Sequence, residues 1–191
     1  MKKIDYSYIA RVLASLSGIP VRIFRNEMLC DYYSLINLPK DPMDVFRDEI
    51  FALKRHVDYY ITPLFHIYGI INSVDIRIVI GPTAQVFAND QSLKELAFKA
   101  DVPKDEIPDF VDGIKSIINM PLESLLMMLC SVNYLLNDEK LELRDILIRN
   151  EEQQTIKATV EQQRTENVYN SEPEQALHNT LQLEEALMDI V

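Results

Sequence analysis

At 191 residues and 48% hydrophobic content, the chain can bury a core in one globular domain with an appendage, which excludes disorder throughout. Thirty acidic against 19 basic residues leave a net charge of -11, which disfavours nucleic acid and anionic membrane surfaces as direct partners. The charge is uneven: residues 1–137 carry 17 acids and 14 bases, whereas 138–191 carry 13 acids and 5 bases.

The amino terminus is basic, but Asp5, Arg11 and Ser15 break any apolar signal segment. Tyr6, Ile9, Ala10, Val12, Leu13 and Leu16 recur at helical spacing until Gly18 and Pro20 stop them, so a first helix is predicted to end near Ser17. Ile19, Val21 and Ile23 then alternate with polar residues, and Met28 to Leu35 follow the turn Asn26-Glu27, which reads as a hairpin. Asp41-Pro42 supplies a helix cap with proline at the first position, and Val45, Phe46, Ile50 and Leu53 predict a helix running to about His56.

Three strands are predicted next, at 59–64, 65–72 and 74–82. Two strands, a helix and three strands with no glycine-rich phosphate loop argue for an antiparallel sheet in an α+β fold rather than a parallel nucleotide-binding one. Helices are predicted at 91–100, 105–119 and 121–137, with Pro103 and Pro121 as punctuation. The first two have helix-turn-helix spacing, but the second presents Asp105, Glu106, Asp109 and Asp112, which a phosphate backbone repels. The wide apolar faces of 105–119 and 121–137 must be covered by other surfaces.

The run Leu125 to Leu136 is too short to span a bilayer, which needs about 20 residues. Beyond Asn137 the apolar signal thins, and 150–170 reads as a polar linker. After Pro173, Leu177, Leu181, Leu183, Leu187, Met188, Ile190 and Val191 predict another amphipathic helix that runs into the last residue, as in a chain cut from something longer. The expected organisation is therefore a domain over 1–137 and an acidic helical segment over 138–191. Cys30 and Cys130 lie a hundred residues apart without metal-type spacing, as expected of reduced thiols in a cytoplasmic protein.

No nucleophile-base set and no metal-ligand spacing can be assembled, so neither an enzyme nor a bound cofactor is expected. His66 shares a predicted strand face with Leu64, Tyr68 and Ile70; its readings, in descending weight, are core histidine, ligand-pocket residue, and catalytic or metal-binding group. The phenols Tyr32-Tyr33, Tyr59-Tyr60 and Tyr68 suit either a sheet or a pocket for a small organic ligand. Arg22 and Arg77 sit inside aliphatic strands, with Asp75 expected on the face of Arg77; such an arginine meets water or a carboxylate, and less often clamps a ligand. The candidate ligand-binding set is His66, Tyr68, Tyr60, Tyr33 and Arg77.

The stretches Tyr8-Ile-Ala-Arg-Val-Leu-Ala-Ser-Leu-Ser-Gly-Ile-Pro-Val-Arg-Ile-Phe24, Phe65-His-Ile-Tyr-Gly-Ile-Ile-Asn72, Ile78-Val-Ile-Gly-Pro-Thr83 and Asn119-Met-Pro-Leu-Glu-Ser124 resemble the amino-terminal sensor region of AraC-type transcriptional regulators of Gram-positive anaerobes. The resemblance covers about residues 6–145. It implies a cytoplasmic sensor with a small antiparallel PAS- or GAF-like sheet, dimerising through helices and passing the signal of a small-molecule effector to a carboxy-terminal pair of helix-turn-helix units. That basic DNA-binding part is absent from these 191 residues, so by this resemblance DNA is met only through a domain outside the chain. A protein-interaction module, or the PAS/GAF sensor of another signalling protein, is the competing expectation.

Overall fold

The computed structural model describes residues 4–84 and 89–147. The expected polar linker and the last amphipathic helix lie outside the described residues, as does most of the expected acidic segment.

The first helix, α1 (Tyr6–Ser17), starts where the Asp5 carboxylate accepts from the Tyr8 amide and ends at Gly18, whose φ of 69° suits a residue without a side chain. It leads into the hairpin β1 (Val21–Arg25) and β2 (Met28–Tyr33). Asn26 and Glu27 both take positive φ, 48° and 63°, the geometry that matches a two-residue turn to strand twist. A short 3₁₀ helix (Pro42–Phe46), capped by Asp41, continues into α2 (Arg47–Ala52). The helix expected up to His56 is thus split at Phe46 and ends four residues early, so that β3 (Val57–Ile61) begins at Val57 rather than Tyr59.

Strands β4 (His66–Asn72) and β5 (Arg77–Ala84) complete a five-stranded antiparallel sheet in the order β2-β1-β5-β4-β3. The protein is α+β. Phe65, at φ 61°, turns the chain between β3 and β4, which is why β4 starts at His66 and not one residue earlier. Helices α3 (Asp90–Lys99), α4 (Ile107–Lys115) and α5 (Leu122–Asn137) follow.

Cross-strand pairs divide the sheet into two faces. On one, Val21 and Gly69 flank Ile80 while Ile23 and Ile71 flank Ile78. This face is covered by α1, whose Ala10 and Ala14 are buried, and by α5 through Leu125, Leu129 and neighbours. On the other, Phe24, Tyr68, Ile70 and Val79 form one core with Met43 and Phe46 of the 3₁₀ helix, Ile50 and Phe51 of α2, and Leu93, Leu96, Phe110 and Ile114 of α3 and α4. The helix-turn-helix spacing therefore serves packing. Asp101 takes the left-handed turn position at φ 54°, and Asp105, Asp109 and Asp112 face solvent. Among the described residues no helix is long and apolar enough to cross a membrane.

Gly69 marks the closest approach of α5 to the sheet: a Cβ there would lie 2.8 Å from both methyl carbons of Leu129, itself fully buried. Replacing Gly69 by Ala is expected to lower stability by about 1–3 kcal/mol through overpacking. Urea denaturation should show a reduced midpoint with an unchanged slope.

Candidate functional site

We call the end of the sheet that holds Val21, His66 and Ala84 the upper end, and that with Arg25, Asn72 and Arg77 the lower end. On the face under the 3₁₀ helix, the upper end carries a row of polar side chains in an otherwise apolar core. Arg22, on β1, has no exposed surface. Its Nε and Nη2 fork onto the Asp41 carboxylate, with Nη2 to Oδ1 at 2.6 Å, and its Nη1 donates to the carbonyl of Gly81. The guanidinium carbon stacks 4.8 Å from the ring centre of Tyr32, its cross-strand partner. Burial works against the charge, but Asp41 outweighs it and holds the Arg22 group above its ordinary value. Asp41 does double duty, since its Oδ1 also accepts from the Met43 amide and so fixes the start of the 3₁₀ helix.

Beside this pair, Tyr68 on β4 is fully buried, and its hydroxyl has no hydrogen-bond partner. Burial drives its ionisation far above the ordinary tyrosine range, with the Arg22 charge acting in the opposite sense, so the hydroxyl keeps its proton. His66, two residues earlier on the same strand face, is 4% exposed, and its Nδ1 is likewise unpartnered. Burial lowers its pKa below 6.5, which leaves a neutral imidazole at pH 7. Tyr60 lies directly across from Tyr68 on β3 and is half-buried against the ring of Phe46, at 6.0 Å between centroids. Burial, with Glu49 nearby, raises its pKa.

Of the five residues expected from sequence to meet a ligand, the structure brings three together: His66, Tyr68 and Tyr60. Tyr33 pairs with Val21 and so belongs to the opposite face; its neighbour Tyr32 is the phenol that joins the row. Arg77 lies at the lower end. Its Nε donates to Asn72 Oδ1 (2.7 Å), its Nη2 to the Leu53 carbonyl (3.0 Å) and its Nη1 to the Ile50 carbonyl (3.5 Å), and it stacks on Phe51 at 4.5 Å. Asp75, expected beside it, instead sits 3.6 Å from Arg25. The partnership of Arg22 with Asp41 spans 19 residues and no local pattern signals it; the cap Asp41-Pro42 was the visible half.

Among the described residues, clefts open elsewhere. One of about 550 Å³ lies under the start of α1, near Ser7, Ile23 and Asp31. Another, of about 200 Å³, is lined by Phe51, Arg77 and the β1–β2 turn. A third, of about 1000 Å³, lies between His56, Val74 and the end of α5. Arg77 lines the second; His66, Tyr68, Tyr60 and Tyr33 line none of the three. No group of three His, Cys, Asp or Glu side chains among the described residues could hold a metal ion. No family model, curated protein or solved structure matches the chain.

Removing the Asp41 carboxylate leaves a buried, uncompensated guanidinium, so Asp41→Ala is expected to cost about 3–5 kcal/mol, far more than loss of a surface cap, as read by thermal or urea unfolding. A second expectation concerns pH. His66 binds its proton less readily folded than unfolded, so below pH 6.5 the unfolded state takes up more protons and stability falls as pH falls. The stability of wild type minus that of His66→Gln should decline between pH 7 and 5, by at most about 1.4 kcal/mol per pH unit. A difference independent of pH would show that folding does not lower the His66 pKa.

Proposed function

We propose that this domain is the ligand-sensing region of an AraC-type transcriptional regulator, with its effector held at the upper end of the sheet beneath the 3₁₀ helix. The observation that carries the reading is the pair of unpartnered, buried polar atoms, Tyr68 Oη and His66 Nδ1, on one strand face. A buried polar group without a partner costs about 1–3 kcal/mol, so two at one place call for a polar occupant. The strand order 2-1-5-4-3, with the β2–β3 helices packed on one face, is consistent with a PAS-like sheet. The sequence stretches that resemble AraC-type sensors fall on α1, β1, β4, β5 and the start of α5, the elements that build and frame the sheet.

The chemistry of the site favours an uncharged effector. Arg22 is already neutralised by Asp41, Arg77 is committed at the other end of the sheet, and His66 is neutral, so a buried anion would meet no uncommitted cation. Tyr68 donates, which asks for a hydroxyl, carbonyl or amide oxygen on the ligand; the walls of Phe46, Tyr60 and Ile70 ask for an apolar body. Entry requires the 42–46 segment to lift from the sheet. DNA contact belongs, in this reading, to a carboxy-terminal domain outside the chain, and the working protein is a cytoplasmic homodimer. A protein-interaction role has one observation in its favour: Met127, Tyr134 and Leu135 of α5 are 54%, 45% and 64% exposed.

The test is Tyr68→Phe. Deleting an unpaired hydroxyl is expected to stabilise the free protein by about 1 kcal/mol, a rise of roughly 2–4 °C in Tm. Neutral alcohols, amides and nucleosides that raise the wild-type Tm should lose their effect on the variant. A lower Tm for Tyr68→Phe, with no neutral compound stabilising wild type, would overturn the reading.

A further inference from the structure

At the lower end of the sheet, hydrogen bonds tie together the two layers that cover its opposite faces. The carbonyls of Leu53 and Arg55, beyond the end of α2, have no helical amide ahead of them and need other donors, while that of Ile50 accepts from the Leu53 amide at 3.4 Å. Arg77 supplies two, at Leu53 and Ile50. Asn72 supplies the rest: its Nδ2 donates to Leu53 O (3.3 Å) and to Arg55 O, while its Oδ1 receives Arg77 Nε at 2.7 Å. The amide of Asn72 thus sits within the grip on α2.

The backbone of the same residue is held from the other side. Asn137, the last residue of α5, donates through Nδ2 to the Asn72 carbonyl (2.9 Å) and to Asn133 Oδ1 (2.7 Å). Asn133 is wholly buried and donates to the backbone oxygen of Glu139 (3.1 Å) and to its Oε2 (3.3 Å). Asp138, left-handed at φ 53°, reverses the chain so that Glu139 can be reached. His56, the residue before β3, lies with Nδ1 2.8 Å from Glu139 Oε2. A run of side chains therefore connects the end of the 42–52 cover to the stretch of backbone that leaves the domain after α5.

We propose that this asparagine network is the route by which movement of the 42–52 cover reaches residues 139–146, with Asn72 as the coupling residue. The inference rests on the sensor reading for what moves the cover, but the coupling itself needs no effector. A displaced Leu53 carbonyl breaks its bonds to Asn72 and Arg77 together, and a partly buried network left half-satisfied is less favourable than an intact one, so Asn72 and Asn137 follow. The two covers, on opposite faces, can then shift as one discrete step rather than independently.

The experiment is amide hydrogen exchange by mass spectrometry on the full chain, without effector. Arg77→Lys keeps the charge but loses the fork onto α2; Asn137→Ala cuts the link from the α5 side. Each is expected to speed exchange in both 50–56 and 139–146 by about fivefold or more, and the double variant no more than the faster single one. Ile114→Val, which trims the same core away from the network, should change 139–146 less than twofold. Acceleration confined to the segment nearest each substitution, or equal acceleration by Ile114→Val, would overturn the proposal. If Arg77→Lys does not fold, Asn137→Ala read at 50–56 decides alone. Success here together with a lowered Tm for Tyr68→Phe would retain the coupling and remove the effector site, so the two failures are distinguishable.

Discussion

The guanidinium of Arg22 is the constraint around which the upper half of the molecule is arranged. A charge with no exposed surface in a strand of Val, Ile and Phe costs several kcal/mol unless it is paired and its donors are filled. Filling them dictates three distant features. The chain after β2 must cross the face so that Asp41 reaches Arg22, which places the 3₁₀ helix over Tyr68 and Tyr60. Gly81 must present its carbonyl, at a position where a Cβ would come within 2.7 Å of the Ile67 oxygen and 2.8 Å of the Tyr68 ring. Tyr32 must lie on this face of the hairpin, and the register of β1 with β2 puts it there.

The α+β class, the hairpin turn at Asn26-Glu27 and the antiparallel sheet were legible because each rests on short-range chemistry: alternation, turn residues and a missing phosphate loop. The boundaries around β3 and β4 were not, because the turn uses Phe65 at positive φ, a conformation that no local preference of phenylalanine announces. Tyr32 and Tyr33 could not be told apart, since which phenol faces the 3₁₀ helix depends on the pairing of β2 with β1. That register shifts between Ile23 and Phe24, and Cys30 is the unopposed residue. That His66 and Tyr68 share a face was legible because a two-residue spacing in a strand fixes it whatever the tertiary context. Arg77 was misplaced relative to them for the converse reason: alternation gives a face but not an end of the sheet.

The turn between α3 and α4 makes a related point. Leu93, Leu96, Ala97, Val102, Phe110, Val111 and Ile114 are the residues that suggest two helices at a tight turn, and all are buried in the core over the sheet. Spacing of that kind reports how two helices pack, while the residues left outside report what they meet. Here those residues include Asp105, Asp109 and Asp112, and their charge is the part of the pattern that carries information about partners.

The distribution of satisfied and unsatisfied polar groups then separates the two ends of the sheet. At the lower end Arg77, Asn72, Asn133 and Asn137 exchange hydrogen bonds with one another and with backbone carbonyls. At the edge toward α5, Thr83 donates to the Ile118 carbonyl and accepts from the Met120 amide. Each nitrogen of Arg22 has an acceptor as well. Tyr68 and His66 stand apart from this pattern. A fold that pairs its buried polar side chains this thoroughly has not run out of donors and acceptors, and replacing Tyr68 by Phe would remove its orphan without changing the shape of the core. Among the described residues, Tyr68 and His66 place two such groups side by side on β4, next to a completed ion pair, and under the proposed sensor reading a polar effector would repay their cost.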